Sequence, residues 1–453
     1  MKPELILINP WIYDFAAYDL WSKPLGLLYL AAYLRDSGFR VTLIDCLDIH
    51  HPGMKRYPGV SKPLRRAFGT GKFWREIIQR PAPLKDFPRR YYRYGISIPL
   101  FVDALKKIKR PAAILVTSLM TYWYPGVVDA VRIAREVHRG VPIILGGIYA
   151  YLCTEHARRH AGADLVFDRA GFDSLELVTN VLAEFGVKGG NPPPGIDRVS
   201  YPAFDLLRKV DYACILTSAG CPYRCSYCAS NLLNPRFCQR DPDSVVSEIE
   251  YWHKKHGVVD FAFYDDALLI NWGTHMGVIL ERILRRNLCL RFHTPNALHI
   301  REIGREVAEI LYRSGFKTIR LGLETADRAF HDDFDRKLSE GDFERAVANL
   351  HGACFTRNQI GAYILMGLPG QSAESVLATI KAVGRSGATP YLAEYSPIPM
   401  SPLWQKALET SKHDLANEPL FHNNILLPCW DEEQKALIPE LRKMVREARM
   451  EPS

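Results

Sequence analysis

The sequence predicts an α/β protein: an N-terminal doubly wound parallel sheet, then an open barrel of six βα units, then a short helical tail. Three observations lead there. Short apolar runs alternate with stretches of helical periodicity twice along the chain, the pattern of parallel strands crossed by helices. A Gly/Pro-rich segment, 186–201 (GVKGGNPPPGIDRVSY), separates the two series and reads as a linker. The second series holds six apolar runs, which suit an incomplete barrel with its chemistry at the carboxyl ends of the strands. The expected domains are 1–185 with a basic insertion at 50–110, then 202–400, then a tail over 401–453.

In order, ELILIN (4–9) is a buried strand followed by Pro10 and a loop rich in Tyr, Trp and Asp. Apolar positions from Leu25 to Ser37 recur at helical spacing, with Gly38 placed to cap the helix. RVTLID (40–45), AAILVTS (112–118), VPIILGG (141–147) and Ala163 to Phe167 supply four more strands, with helices over Val127 to Val137 and Leu175 to Phe185. A doubly wound sheet binds ligands where its strand order reverses. Strands of the second series are expected near 212–217, 259–265, 289–294, 317–323, 360–366 and 391–396. Beyond Pro402 the tail is helix-like, above all from Glu432 to Arg449.

The chain has 453 residues, 47% hydrophobic and 24% charged, enough apolar material for more than one core. No early segment has the layout of an export signal, and no apolar run reaches the ~18 residues of a membrane span. Ten cysteines without regular pairing then point to a reducing cytoplasm. The net charge of +8 is unevenly placed. Residues 55–110 hold 16 Lys and Arg against three acids (Glu76, Asp86, Asp103), a local +13 that leaves −5 for the rest.

After the first strand of the second series comes CPYRCSYC, with Cys221, Cys225 and Cys228 in a loop opened by Gly220 and Pro222. Thiolates select soft metals, and C-x3-C-x2-C suits three corners of an iron–sulfur cube, leaving a fourth iron open. A structural zinc knot would need a fourth ligand, Cys214 or Cys238. A disulfide is poorly served by three cysteines in a reducing compartment.

This loop resembles the signature of the radical SAM enzymes, and the resemblance extends over roughly 210–400. It implies a [4Fe-4S] cluster on Cys221, Cys225 and Cys228, and S-adenosylmethionine (SAM) chelated to the open iron. Tyr227, the aromatic residue before the last cysteine, is implied to pack near the adenine. FAFYDD ends in Asp265 and Asp266, where such enzymes hold the SAM amino group, and IRLGLET ends in Glu324, implied to accept from the ribose hydroxyls. Residue by residue, the other readings are a helix cap for the aspartates and a salt bridge for the glutamate. GAYILMGLPGQS (361–372), with Gly367 and Gly370, and YSPIPMSP (395–402) resemble the adenine-side strands. The implied chemistry is reductive cleavage of SAM to a 5′-deoxyadenosyl radical that takes a hydrogen atom from substrate.

An α/β domain ahead of such a barrel resembles the cobalamin-binding subgroup of that family, whose pattern is D-x-H-x-x-G, S/T-x-L and G-G. Thr117-Ser118-Leu119 matches the second part and Gly146-Gly147 the third, which implies that Thr117, Leu119, Gly146 and Gly147 line a corrinoid. Asp48 to Gly53 matches the first part but follows the second strand rather than the first, so His50 reads better as a loop histidine than as a cobalt ligand. The resemblance implies cobalamin-dependent methylation of an unactivated carbon, with cyclisation or rearrangement as the alternative, a small-molecule or lipid-like substrate, and a reductant such as flavodoxin or ferredoxin. No catalytic side chain is assigned. The basic segment mixes Arg and Lys with Tyr57, Phe68, Phe73, Trp74, Tyr91, Tyr92 and Tyr94, a composition suited to an anionic partner, whether single-stranded nucleic acid or a lipid surface. A solvated helical cover over the active site is the plainer reading.

Overall fold

The structure is a computed structural model, and it describes residues 2–57, 60, 63–171, 174–190 and 200–450. Two compact units result, one of residues 1–211 with 417–420 and one of 212–416 with 421–453. Most of the segment expected as a linker, 191–199, lies outside the described residues.

In the first unit, strands β1 (Glu4–Asn9), β2 (Arg40–Asp45), β3 (Ala113–Val116), β4 (Ile143–Leu145) and β5 (Leu165–Val166) form one sheet in the order β5-β4-β3-β1-β2. Every pairing is parallel. Leu5, Ile6, Leu7 and Ile8 are 0% exposed, which explains why β1 reads as a continuous apolar run instead of an alternating one. Helices α1 (Leu25–Asp36), α2 (Tyr124–Val137) and α3 (Leu175–Glu184) belong to this unit, with Gly38 at φ +88° just past α1. The strand order reverses between β1 and β3, so the loops after these strands flank the switch point.

The basic insertion is not a helical cover. Its described part is built of short strands and 3-10 turns, followed by a helix over Ile98–Lys107. Arg75–Ile78 and Tyr91–Tyr94 pair antiparallel with each other, and Tyr91–Tyr94 with Ile12–Asp14, while Gly71–Lys72 pairs with Tyr18–Asp19. The aromatic residues explain the difference. Phe73, Trp74, Tyr91 and Tyr94 are all buried and pack this small sheet onto the loop after β1, where a solvated helix would have left them in water.

In the second unit, β6 (Ala213–Ile215), β7 (Asp260–Phe263), β8 (Arg291–His293), β9 (Phe316–Glu324), β10 (Ile360–Met366) and β11 (Thr389–Glu394) lie side by side in sequence order, all parallel. Sequential order with right-handed helical crossovers is what six βα units require. Its core is aromatic, with Phe261, Phe263, Phe292 and Phe316 each at most 1% exposed. The C-terminal helix α4 (Ile438–Met450) packs on the helix Ala373–Arg385 and on β11 through Leu441, Val445 and Ala448.

Candidate active site

The cysteine loop leaves the carboxyl end of β6 and is pinned at its base. Ser218–Ala219 pairs antiparallel with Cys238–Gln239, so the intervening residues form a closed loop. Gly220 (φ +78°) has to be glycine, because a Cβ there would lie 2.6 Å from the Arg236 carbonyl oxygen. Under the loop, Arg240 donates to the Leu216 carbonyl (2.9 Å) and to the buried Glu248 carboxylate (2.5 Å). Farther along, Ser226 N–H donates to the Phe334 carbonyl and Leu403 N–H to the Ser226 carbonyl, which ties the loop to two other segments.

Cys225 is buried, and Cys221 and Cys228 are half-buried. Burial pushes the Cys221 thiol up and the Cys225 thiol up to about 11, with Lys337 pulling the other way in both cases. Cys228 Sγ accepts from Ser230 N–H (3.4 Å), and Ser230 Oγ lies 3.1 Å from it. His299 Nε2 stands 3.9 Å from Cys221 Sγ, its ring tilted 37° against that of Tyr223 with centroids 4.1 Å apart. Burial, followed by Lys337, lowers the His299 pKa to about 4 against a hydrogen bond to the Asp266 backbone, so the imidazole is neutral and holds a single N–H. Among the described residues, no three His, Cys, Asp or Glu side chains stand close enough to hold a single metal ion.

The two aspartates after β7 part company. Asp265 is 2% exposed and its carboxylate accepts from Thr217 N–H (3.0 Å), Thr217 Oγ1 (2.7 Å) and Ser218 Oγ (2.6 Å). It staples the start of the cysteine loop to β7. The carboxylate expected at the SAM amino group thus already accepts from the backbone and side chains of the cysteine loop's first residues. Asp266 instead hydrogen-bonds Ser230, the residue that donates to Cys228, and burial followed by Asp265 raises its pKa, to about 6.

Glu324 ends β9 at an irregularity in the pairing with β10, with φ +67°. A non-glycine residue held in that region costs of order 1–3 kcal/mol and persists only where its surroundings fix it. Here Lys337 fixes it, with Nζ 3.4 Å from Glu324 Oε1 and both side chains about nine-tenths buried. Burial raises the Glu324 pKa against the pull of Lys337. Burial also acts to lower that of Lys337, but Glu324, Cys225 and Asp335 outweigh it and keep the ammonium charged. The ammonium lies 5.3 Å from the Tyr227 ring centroid. The Tyr227 hydroxyl donates to Asp335 (2.7 Å), and Asp335 meets His331 Nδ1 (2.9 Å). Tyr227 thus sits in a network that sequence reading missed: Lys337, Asp335 and His331 lie in a segment with no recognisable motif, and only the fold carries it to the cysteines.

Gly367 has φ +95°, a conformation that favours glycine, and a Cβ there would lie 2.5 Å from Leu427 Cδ2. Gly370 (φ +80°) is at a turn with ordinary clearance to Lys406.

In the first unit, Thr117 and Leu119 after β3 and Gly146 and Gly147 after β4 are all half-buried, and the two loops are bonded to each other. Ser118 Oγ donates to the Gly146 carbonyl (2.7 Å) and Ile148 N–H to the Ser118 carbonyl (2.7 Å). The glycines differ. A Cβ on Gly147 (φ +93°) would lie 2.6 Å from Ser118 N and closer still to Ser118 O, whereas the nearest atom to a Cβ on Gly146 is Phe167 Cβ at 3.9 Å. Gly147 is demanded by the backbone; Gly146 leaves open space. His50 Nε2 is 2.5 Å from Asp211, so that ring nitrogen is engaged within the protein.

Residues 215–383 match the Radical SAM superfamily. An uncharacterised methyltransferase of Pyrococcus horikoshii is 24% identical over 345 residues, covering 68% of this chain and 72% of that protein. The anaerobic magnesium-protoporphyrin IX monomethyl ester cyclase of Cereibacter sphaeroides is 28% identical over 193 residues, 41% of this chain and 30% of that one. Among solved structures, the radical S-adenosylmethionine methyltransferase TsrM of Kitasatospora setae, with tryptophan and a SAM analogue bound, has a TM-score of 0.66 at 15% identity, covering 100% of this chain and 89% of that one. Its form with cobalamin and a [4Fe-4S] cluster has a TM-score of 0.64 at 16% identity, covering 91% and 76%. These structural likenesses are of fold.

Proposed function

We propose that this chain, a radical SAM enzyme by its match over residues 215–383, is a cobalamin-dependent methyltransferase acting on an unactivated carbon of a small organic substrate. The observation that carries this reading is the order of parts in one chain. A five-stranded parallel sheet with mutually bonded Thr117-Ser118-Leu119 and Gly146-Gly147 loops is followed by a six-stranded parallel sheet bearing the three-cysteine loop. A methyltransferase relative aligned over 72% of its length supports methyl transfer over cyclisation, for which the cyclase relatives align over 27% to 55% of theirs.

When bound, the cluster and SAM supply a radical able to break an unactivated C–H bond, and cobalamin supplies a transferable methyl group. Cys221, Cys225 and Cys228 would hold three irons. The N–H of Ser230, whose hydroxyl is held by Asp266, directs a donor at the Cys228 sulfur, which would lower thiolate basicity and raise the potential of a cluster held there, and neutral His299 packs beside Cys221. Lys337 places a buried positive charge beside Cys225, suited to the carboxylate of SAM. Glu324, kinked into place by the strand irregularity, can accept from vicinal hydroxyls. Tyr227 presents an aromatic face whose hydroxyl is locked by Asp335. An external reductant such as flavodoxin or ferredoxin delivers the electron.

The test is anaerobic reconstitution with iron, sulfide and hydroxocobalamin, followed by gel filtration, metal analysis and reaction with methyl-deuterated SAM. Retained cobalt and iron with 5′-deoxyadenosine release are the expected result, and Cys225→Ala should lose both the iron and that release. A protein that releases 5′-deoxyadenosine but retains no cobalt would overturn the cobalamin reading; a protein that carries zinc in place of iron would overturn the whole.

A further inference from the structure

The insertion between β2 and β3 holds a feature that this reading does not use. Residues 15–18 and the strands around Lys72, Arg75 and Tyr92 enclose a pocket of about 320 Å³, wholly within the first unit. Four cations line it, Lys72, Arg75, Arg89 and Arg90, and no acidic side chain does. Of the acids nearby in sequence, Asp19 pairs with Arg65, Glu76 pairs with Arg93, the buried Asp14 accepts from Phe15 N–H and Trp123 Nε1, and Asp86 does not line the pocket. Among the described residues, none of the four lining cations forms an ion pair. Arg75 is nonetheless oriented, lying 4.6 Å from the Tyr92 ring centroid and bonded to the Tyr94 hydroxyl. Four like charges around one pocket with no acid among its walls repel one another and leave the site electrostatically incomplete.

We infer that this pocket binds the phosphate group of a small organic anion, with the apolar part of that molecule against Tyr92 and Tyr94. A single carboxylate would neutralise one cation, whereas a phosphate ester or diphosphate carries two or more charges and matches the planar forks of arginine. The size is at the lower end of small-molecule sites. The placement also argues against nucleic acid, because Arg65, Arg80 and Arg93 of the same segment turn inward to Gly69, Phe87 and Glu76 and break any continuous basic track. The inference goes beyond the proposed reaction and does not depend on it.

The full chain is titrated with inorganic pyrophosphate by calorimetry at low and physiological salt, and in parallel with vesicles containing phosphatidic acid. Saturable pyrophosphate binding is expected, weakened about tenfold or more in Arg75→Gln and in the double variant Arg89→Gln/Arg90→Gln, with acetate much weaker. Pyrophosphate binding without vesicle binding identifies a soluble phosphate ester as the source; vesicle binding competed by pyrophosphate identifies a lipid headgroup. These arginines are exposed, so the variants should melt like the wild type. Failure of both probes to bind, or variants that bind pyrophosphate as tightly as the wild type, would overturn the inference.

Discussion

Replacing Gly147 by alanine and Gly146 by leucine should have opposite consequences, although the two residues are adjacent. Gly147 has φ +93° and ψ −169°, a region that only glycine occupies comfortably and that costs another residue of order 1–3 kcal/mol. A Cβ there also meets the backbone N and O of Ser118, atoms that cannot swing aside because Ile148 N–H is bonded to that oxygen and the Ser118 hydroxyl to Gly146. Relieving the clash means giving up at least one such bond, about another 1 kcal/mol. The sum, about 2–4 kcal/mol, should lower the melting temperature of the first unit by about 4–16 °C. At Gly146 φ is unremarkable and the nearest neighbour to a Cβ is at 3.9 Å, so leucine should change stability by no more than about 0.5 kcal/mol. If the corrinoid lies on this loop pair, however, the added side chain occupies its space and cobalt retention after gel filtration should fall at least about tenfold, with Gly146→Ala between the two. The assays are calorimetry of apo protein and cobalt analysis of reconstituted protein. A Gly147→Ala protein that melts with the wild type refutes the strain argument; a Gly146→Leu protein that keeps its cobalt removes the corrinoid from these loops.

Lys337→Met should leave Glu324 buried without its counter-ion beside Asp335 and destabilise the second unit by about 3–5 kcal/mol, with part recovered in Lys337→Met/Glu324→Gln; equal denaturation midpoints for wild type and single variant would show the pair to be inert. Asp265→Asn should weaken folding while SAM affinity of the folded fraction stays unchanged, measured by equilibrium dialysis, because its oxygens serve Thr217 and Ser218; a loss of affinity at constant stability would restore it to the SAM site. Asp45 gives a pH dependence. Burial raises its pKa to about 6 against bonds from Asn9 and Leu47. The folded state therefore holds that proton more tightly than the unfolded chain, and the stability gained below the ordinary carboxylate pKa is lost as pH rises through about 6. Asp45→Asn should stabilise the first unit by roughly 1–3 kcal/mol near neutral pH, discounted for partial contact with water, and by little near pH ~4; a gain independent of pH would refute the assignment.

Sequence alone determined the alternation of strands and helices, because strands buried on both faces must be continuously apolar, as Leu5 to Ile8 and Phe261 to Phe263 are. It also determined the cysteine loop, whose spacing lies within eight residues. The tertiary structure decided which polar residues face one another. Asp265 and Asp266 are neighbours in sequence, yet one is absorbed by Thr217 and Ser218 and the other bonds Ser230 beside Cys228. Lys337, His331 and Asp335 carry no motif and gain meaning only when the turn after β9 brings them to Tyr227 and Glu324. The basic insertion shows the same division: its charge was legible residue by residue, but whether those charges formed a surface strip or a pocket depended on buried aromatic residues pairing its short strands with the loop after β1. Periodicity and short motifs encode contacts a few residues apart, whereas a buried charge finds its partner through strand order, which no local pattern specifies.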